Sequence, residues 1–316
     1  MRIVALGTSQ FLVNCLRGLF ESGCVLQAII TLPKELLPDN SIDLKDFSIE
    51  IGAEYFEIKD INSELSKRYI RSLSPDLIFS SWPKIIDSEL LNIPVFGIIG
   101  THPTALPYNK GRHPLQWSIA LGLRESKLSF FKMDSGIDSG SIIMQVPYVI
   151  EEKDTISSLL DKLNTLAYSA SLSLGKILIS KSVPKGICQD TVASNIWRKR
   201  DRHDVLIDFR MNDDDILALI RSFSKPYPCA SFIFENYYFD VISGETIEFD
   251  SAIPLEYFEP GYIIKVDRDF LFVKSSKKFL KLKLEQNIEG ILDAKMYIYP
   301  PSKYLLKHQN LKTFFL

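Results

Sequence analysis

Residues 100 to 114 read GTHPTALPYNKGRHP, placing two His, a Lys and an Arg among three Pro and two Gly. A further 19 residues on, "MDSGIDSG" sets Asp134 and Asp138 into a glycine-flanked turn. A histidine steered by a carboxylate is a general base, because the carboxylate fixes the imidazole tautomer and supports its charged form. Such a base suits acyl transfer to an amine, where one group takes the amine proton and another holds the developing oxyanion. His102 and Asp138 are the candidates for the base and its partner. Taken singly, each has an ordinary reading: His102 as a satisfied loop residue, Asp138 and Asp134 as turn formers ahead of Ser or Gly.

The elements around these loops place them. "RIVALG", "VLQAIITL", "PDLIFSS" and "VFGIIGTH" are short β-rich runs separated by amphipathic stretches such as "SQFLVNCLRGLFESG". Alternation of this kind predicts an α/β fold with a doubly wound, mostly parallel sheet. Ligands of such sheets sit beyond the carboxyl ends of the strands, where "GTHPT" begins. "LSFFKMD" reads as a further strand whose exit turn brings Asp138 to the same end of the sheet. "EEKDTISSLLDKLNTLAYSASLSLGKIL" has helical spacing, with Thr155 as its N-cap. From about Gln189 the pattern changes to "NIWRKRDRHD", a helix "DDDILALIRSFS", and alternating aromatic segments such as "ASFIFENYYFDVI". These predict a smaller C-terminal β-rich, barrel-like domain. The expected division is a catalytic domain over 1–190, a linker over 191–204 and the β-rich domain over 205–316.

A net charge of -2 over 316 residues, with 46% hydrophobic residues, disfavours a protein that grips nucleic acid by a basic face. The opening apolar run is broken by Thr8, Ser9 and Gln10, too early for a membrane span. Four scattered Cys with no CxxC pair imply a reducing cytoplasm and no structural metal. The apolar, aromatic second domain offers a surface for a homodimer.

The spacing of the two motifs resembles that of the formyltransferases that use N10-formyltetrahydrofolate, which include methionyl-tRNA formyltransferase and nucleotide-sugar N-formyltransferases. Their signature runs Asn-x-His, Leu-Pro, Arg-Gly and, 36 residues beyond the His, an Asp within Met-Asp-x-Gly-x-Asp-x-Gly. Here His102 precedes "ALPYNKG", and Met133, Asp134, Gly136, Asp138 and Gly140 fall in register. "TLPKE", "IDFRM" and "LIRSFSKPYPCASF" extend the likeness to about residue 235, whereas the tail "PPSKYLLKHQNLKTFFL" has no counterpart. The resemblance implies a formyltransferase fold, N10-formyltetrahydrofolate as co-substrate, and His102 and Asp138 as catalytic residues.

It also implies a folate segment at "SSWPKII", with Ser81, Trp82, Pro83 and Lys84 around the pterin and Asp134 and Gly136 near it. Trp82 has a core reading beside that one. Gly100 stands where the family has a catalytic Asn, which removes a side-chain amide; Asn109 and His113 are the nearby replacements. Lys110 stands for the family Arg, and Arg112 follows it. Lys keeps the charge but not the bidentate fork, so Arg112 has the stronger claim on a substrate. His113 has a second reading, as the residue before a helix that opens at Pro114.

The family's tRNA enzymes carry a basic insertion after the second strand, whereas residues 31–47 hold three Asp and one Glu against two Lys. That charge would repel a phosphate backbone. A nucleotide-diphosphate aminosugar is therefore the expected acceptor. Its diphosphate would meet Thr8, Ser9 and Gln10 at the first helix and a cluster of Arg198, Lys199, Arg200 and Arg202. "WRKRDRHD" has the alternative of a solvated linker. Two other readings stand beside this one: a methionyl-tRNA formyltransferase, and a non-catalytic relative that binds folate or nucleotide sugar.

Overall fold

The computed structural model describes residues 1–38, 41–180, 183–190, 192–225, 227–235 and 237–304. The C-terminal tail beyond Tyr304, the first linker residue Thr191, and Asp39 and Asn40 of the acidic segment lie outside the described residues.

The chain opens with β1 (Arg2–Leu6), α1 (Gln10–Glu21), β2 (Val25–Thr31), α2 (Lys45–Ile51), β3 (Glu54–Glu57), α3 (Glu64–Leu73), β4 (Leu77–Ser80), α4 (Ser88–Leu91) and β5 (Ile98–His102). Ile3 to Leu6 and Leu77 to Phe79 are fully buried, as expected of central strands covered on both faces. Next come β6 (Lys110–Gly111), α5 (Pro114–Ala120), β7 (Glu125–Lys132), β8 (Ile142–Val149), α6 (Ile156–Ile179) and β9 (Ile196–Trp197). Seven strands form one sheet in the order β3-β2-β1-β4-β5-β7-β8. The first five run parallel, β7 is antiparallel to β5, and β8 is antiparallel to β7. The strand order reverses between β1 and β4, which makes their carboxyl ends the switch point where such sheets leave a crevice. On one face α1 and α6 approach closely, because a Cβ on Gly18 would strike the α6 backbone at Tyr168 and Leu172.

The expected linker has structure of its own. β9 pairs with β6 in a separate two-stranded ladder, Lys110 opposite Ile196 and Gly111 opposite Trp197. Two compact units divide at Lys199/Arg200, and residues 116–122 and 153–156 group with the second unit rather than the first.

The second unit contains α7 (Asp213–Ser222) and the antiparallel strands β10 (Ala230–Phe234), β11 (Tyr237–Ile247), β12 (Ile263–Asp267), β13 (Phe270–Lys274) and β14 (Phe279–Leu284). Their order is β10-β11-β14-β13-β12. The five strands form one antiparallel sheet, as the β-rich reading of this domain expects. Ile216, Leu219 and Ile220 of α7 share one core with Phe232, Val241, Leu271 and Leu282 of that sheet. Among the described residues no helix is long and apolar enough to cross a membrane.

Candidate active site

His102 is the last residue of β5 and only 5% exposed. Its Nδ1 lies 3.6 Å from Asp138 Oδ2, and its Nε2 lies 2.9 Å from the backbone oxygen of Asn109. A carbonyl only accepts, so Nε2 carries the hydrogen and the neutral ring keeps its lone pair on Nδ1, toward Asp138. That arrangement lets Nδ1 accept a proton and lets Asp138 pair with the imidazolium that results.

Asp138 reaches this position by an unexpected route. β7 is antiparallel to β5, with Ser129 opposite His102 and Lys132 opposite Ile99. Its exit turn therefore starts near the amino end of β5, not at the end that carries His102, and must fold back along the strand. Several bonds hold the returned loop. Gly111 donates its N–H to Asp138 Oδ2 at 2.8 Å, and Gln189 Nε2 donates to the carbonyls of Asp138 at 2.8 Å and Gly140 at 2.7 Å. Asp138 is left-handed, with φ 48°. Asp134 closes the turn itself, accepting from Gly136 N–H at 3.0 Å and from Ser139 Oγ at 2.6 Å. Its geometry is that of a turn residue, and Gly136 belongs to the same turn.

The loop after His102 is equally constrained. Asn109 (φ 62°), Gly111 (φ 99°) and His113 (φ 54°) all lie in the left-handed region. A Cβ at Gly111 would also run into the Trp197 backbone of β9. Thr104, fully buried, donates its hydroxyl to the carbonyls of Tyr108 (3.0 Å) and Asn109 (3.1 Å). Its own carbonyl accepts from Ser129 Oγ at 2.5 Å, and Gln145 Nε2 donates to Ser129 Oγ at 2.8 Å and to Leu106 O at 3.0 Å. Lys110 is buried, whereas Arg112 is exposed and donates its backbone N–H to Trp197 O at 3.0 Å. Pro114 opens α5, as the helical reading of "RHP" expects.

At Gly100 the missing side chain leaves no gap. A Cβ there would lie 2.9 Å from Met133 Cγ, 3.1 Å from Met133 Sδ and 3.2 Å from Phe131 Cζ. The Asn that the family signature would place at this position has no room until Met133 moves.

The residues expected to meet a diphosphate are engaged otherwise. Ser9 is the N-cap of α1, its Oγ accepting from Leu12 N–H at 3.4 Å. Thr8 is buried and its carbonyl accepts from Ile42 N–H, while Ser9 bridges to Ser41. Gln10 bonds to Asn14 one turn along. Ser41 and Ile42 of the segment after β2 thus contact the turn expected to hold phosphate. Arg198 and Lys199 are exposed, but the rest of their cluster is dispersed: Arg200 is buried between the rings of Trp117 and Phe223, and Arg202 stacks on Tyr238.

At the switch point, "SSWPK" follows β4. Trp82 belongs to the core of the sheet with Leu6, Ile30 and Ile86, which matches its core reading. Its Nε1 and Ser81 Oγ are buried with no hydrogen-bond partner among the described residues. Lys84 is exposed beyond the irregular turn that contains Pro83.

The formyl transferase family model matches residues 1–173, and that of the formyl transferase C-terminal domain matches residues 199–295. The chain belongs to the formyltransferase family. This formyltransferase is 29% identical to the methionyl-tRNA formyltransferase of Caldanaerobacter subterraneus subsp. tengcongensis, over 98% of this chain and 97% of that protein. It is 32% identical to the bifunctional polymyxin resistance protein ArnA of Wigglesworthia glossinidia brevipalpis, over 78% of this chain but only 36% of that protein. Its fold is similar to that of WlaRD, a sugar 3N-formyl transferase crystallised with dTDP and 5-N-formyl-THF. The TM-score is 0.65 at 17% identity, over 90% of this chain and 98% of that one. It is also similar to the N-formyltransferase from Helicobacter canadensis in complex with folinic acid and dTDP-3-aminofucose. There the TM-score is 0.63 at 16% identity, over 89% of this chain and 98% of that one.

The sequence motifs named His102, Asp138 and Asn109, which the fold brings together. Asn195, Gln189 and Thr104 were not among the candidates. Their contacts depend on where loops return, and no spacing in the sequence announces them.

Proposed function

We propose that this formyltransferase moves a formyl group from N10-formyltetrahydrofolate to the amine of a nucleotide-linked aminosugar. The observation that carries the chemistry is the imidazole of His102, with Nε2 committed to a carbonyl and Nδ1 facing Asp138 at 3.6 Å. In this reading His102 Nδ1 takes the proton that the attacking amine sheds as the new C–N bond forms. Asp138 pairs with the imidazolium, and His102 returns the proton to the nitrogen that leaves the formyl carbon. The co-substrate supplies the formyl group. The orphaned Ser81 Oγ and Trp82 Nε1 at the switch point fit a ligand that brings its own donors and acceptors.

The acceptor assignment rests on charge. Residues 31–47 are net acidic, and Ser41 and Ile42 among them contact the turn at Thr8 and Ser9, so the sequence there offers no basic arm for a phosphate backbone. A second reading, methionyl-tRNA as acceptor, is favoured by the likeness to the Caldanaerobacter enzyme over nearly the whole chain.

The test is to incubate the protein with N10-formyltetrahydrofolate and, separately, UDP-, dTDP- and GDP-linked aminosugars and methionyl initiator tRNA. The mass of each acceptor is then followed for one added formyl group. Formylation of a nucleotide sugar is the expected result. Formylation of the tRNA alone would transfer the chain to the second reading, and turnover of neither would reject both acceptors.

A further inference from the structure

Asn195 lies 93 residues beyond His102 and outside both motifs, yet it is bonded to the residue that holds the His102 ring. Its Oδ1 accepts from the backbone N–H of Asn109 at 2.8 Å, and its Nδ2 donates to Asn109 Oδ1 at 3.1 Å. Its own carbonyl accepts from Lys110 N–H at 3.1 Å, and the β6–β9 ladder continues the contact to Arg112 and Trp197. Asn109 is left-handed, with φ 62°. A non-glycine residue keeps such a conformation where its surroundings over-determine it, and the two-way amide contact does so here. That conformation directs the Asn109 carbonyl at His102 Nε2, 2.9 Å away.

We propose that Asn195 is a positioning residue for His102: by clamping Asn109 it keeps the hydrogen on Nε2 and the lone pair on Nδ1. The proposal rests on the reading of His102 as the base. Release of Asn109 displaces the carbonyl, and Asp138, 3.6 Å from Nδ1, becomes the better acceptor. The hydrogen then moves to Nδ1, and the lone pair turns to Nε2, away from Asp138. With a hydrogen already on Nδ1, that nitrogen cannot take a proton, so this is the wrong tautomer for a base that acts through Nδ1.

The tautomer can be read without any substrate. The chain has four His, so 15N spectra of the labelled imidazoles are simple, and His102 is assigned by its absence from His102→Asn. In the wild-type protein, with the ring neutral, His102 should give a hydrogen-bearing Nε2 and a bare Nδ1. In Asn195→Ala the two signals should move toward each other as the tautomers mix, and in Asn195→Asp, which keeps the acceptor for Asn109 N–H, they should largely recover. Asn109→Gly provides a second variant if Asn195→Ala fails to fold. Glycine adopts the left-handed backbone freely and retains the N–H to Asn195, so the wild-type pattern should persist. With the acceptor found by the formylation assay, Asn195→Ala should lower kcat about tenfold and leave KM nearly unchanged.

Unchanged His102 signals in a folded Asn195→Ala protein, or a mixed pattern in Asn109→Gly, would overturn the clamp. The base assignment fails separately, through retained turnover in His102→Asn, whatever the spectra of the Asn195 variants.

Discussion

A buried and a half-buried carboxylate in this protein stand in opposite surroundings. Asp213, in the first turn of α7, accepts from Ser275 Oγ and from the backbone N–H groups of Lys277 (3.3 Å) and Lys278 (3.1 Å). Nearby, the buried Lys274 gives its ammonium to the carbonyls of Ser275 and Ser276, at 2.8 Å each. Asp138 accepts one backbone N–H from Gly111, and its remaining near neighbour is a histidine at 3.6 Å, beyond hydrogen-bond range. A carboxylate saturated with donors holds a structure together. One that keeps capacity beside a titratable ring can answer a change of charge, which is what a proton-transfer step requires.

The comparison is sharpest at the imidazole of His102. His102→Asn should reduce transfer by about 10²–10⁴-fold. Its stability should change by about 1 kcal/mol or less, the worth of one hydrogen bond. Turnover assays and denaturant melts measure the two effects. Near-normal turnover would break the contrast, because Asp138 would then be a turn residue like Asp134.

Asp213→Ala should do the reverse, costing about 2–4 kcal/mol of stability in denaturant melts, since its donors lose their acceptor and a nearby buried ammonium loses an opposite charge. This effect has a pH signature. Burial works against the Asp213 charge, but Ser275 and the Lys278 and Lys277 amides outweigh it and hold the carboxyl below its ordinary 3.8. A depressed folded value means that the stabilisation is complete above the unfolded carboxyl value of about 3.9 and is lost as pH falls through the folded value. The stability gap between wild type and Asp213→Ala should therefore narrow in acid. A gap independent of pH between about 2 and 7 would remove the charge from the explanation.

Gly100→Asn tests whether the segment around His102 lacks a donor or has dispensed with one. The new side chain must displace Met133 or Phe131. We expect a loss of about 1–3 kcal/mol, as for other overpacked sites, and no gain in turnover. A rise in kcat would mean that Met133 yields and that an amide at position 100 still serves the oxyanion. The smallest effect belongs to Ser9→Ala, about 1 kcal/mol for a lost N-cap, with turnover retained. A loss of turnover larger than the loss of stability would return Ser9 to the substrate.

From the sequence alone the architecture was legible. β1, β4 and β5 are continuous apolar runs because both faces of a central strand are covered, and the segments between them show helical spacing. His102 could be placed at a strand end, and the 36-residue interval to Asp138 matched a known signature. What the sequence could not carry was direction and return. The antiparallel sense of β7 decides that Asp138 must fold back to reach His102. The capping of α1 by Ser9 gives that side chain a structural role beside the diphosphate role that its position suggested.

Asn195 is the clearest case. Periodic burial leaves a periodic pattern in the chain, because each residue of a strand or helix meets the same environment at a fixed interval. A hydrogen bond between side chains 86 residues apart has no interval to leave. It exists only once β6 and β9 have paired, and only the tertiary structure decides that.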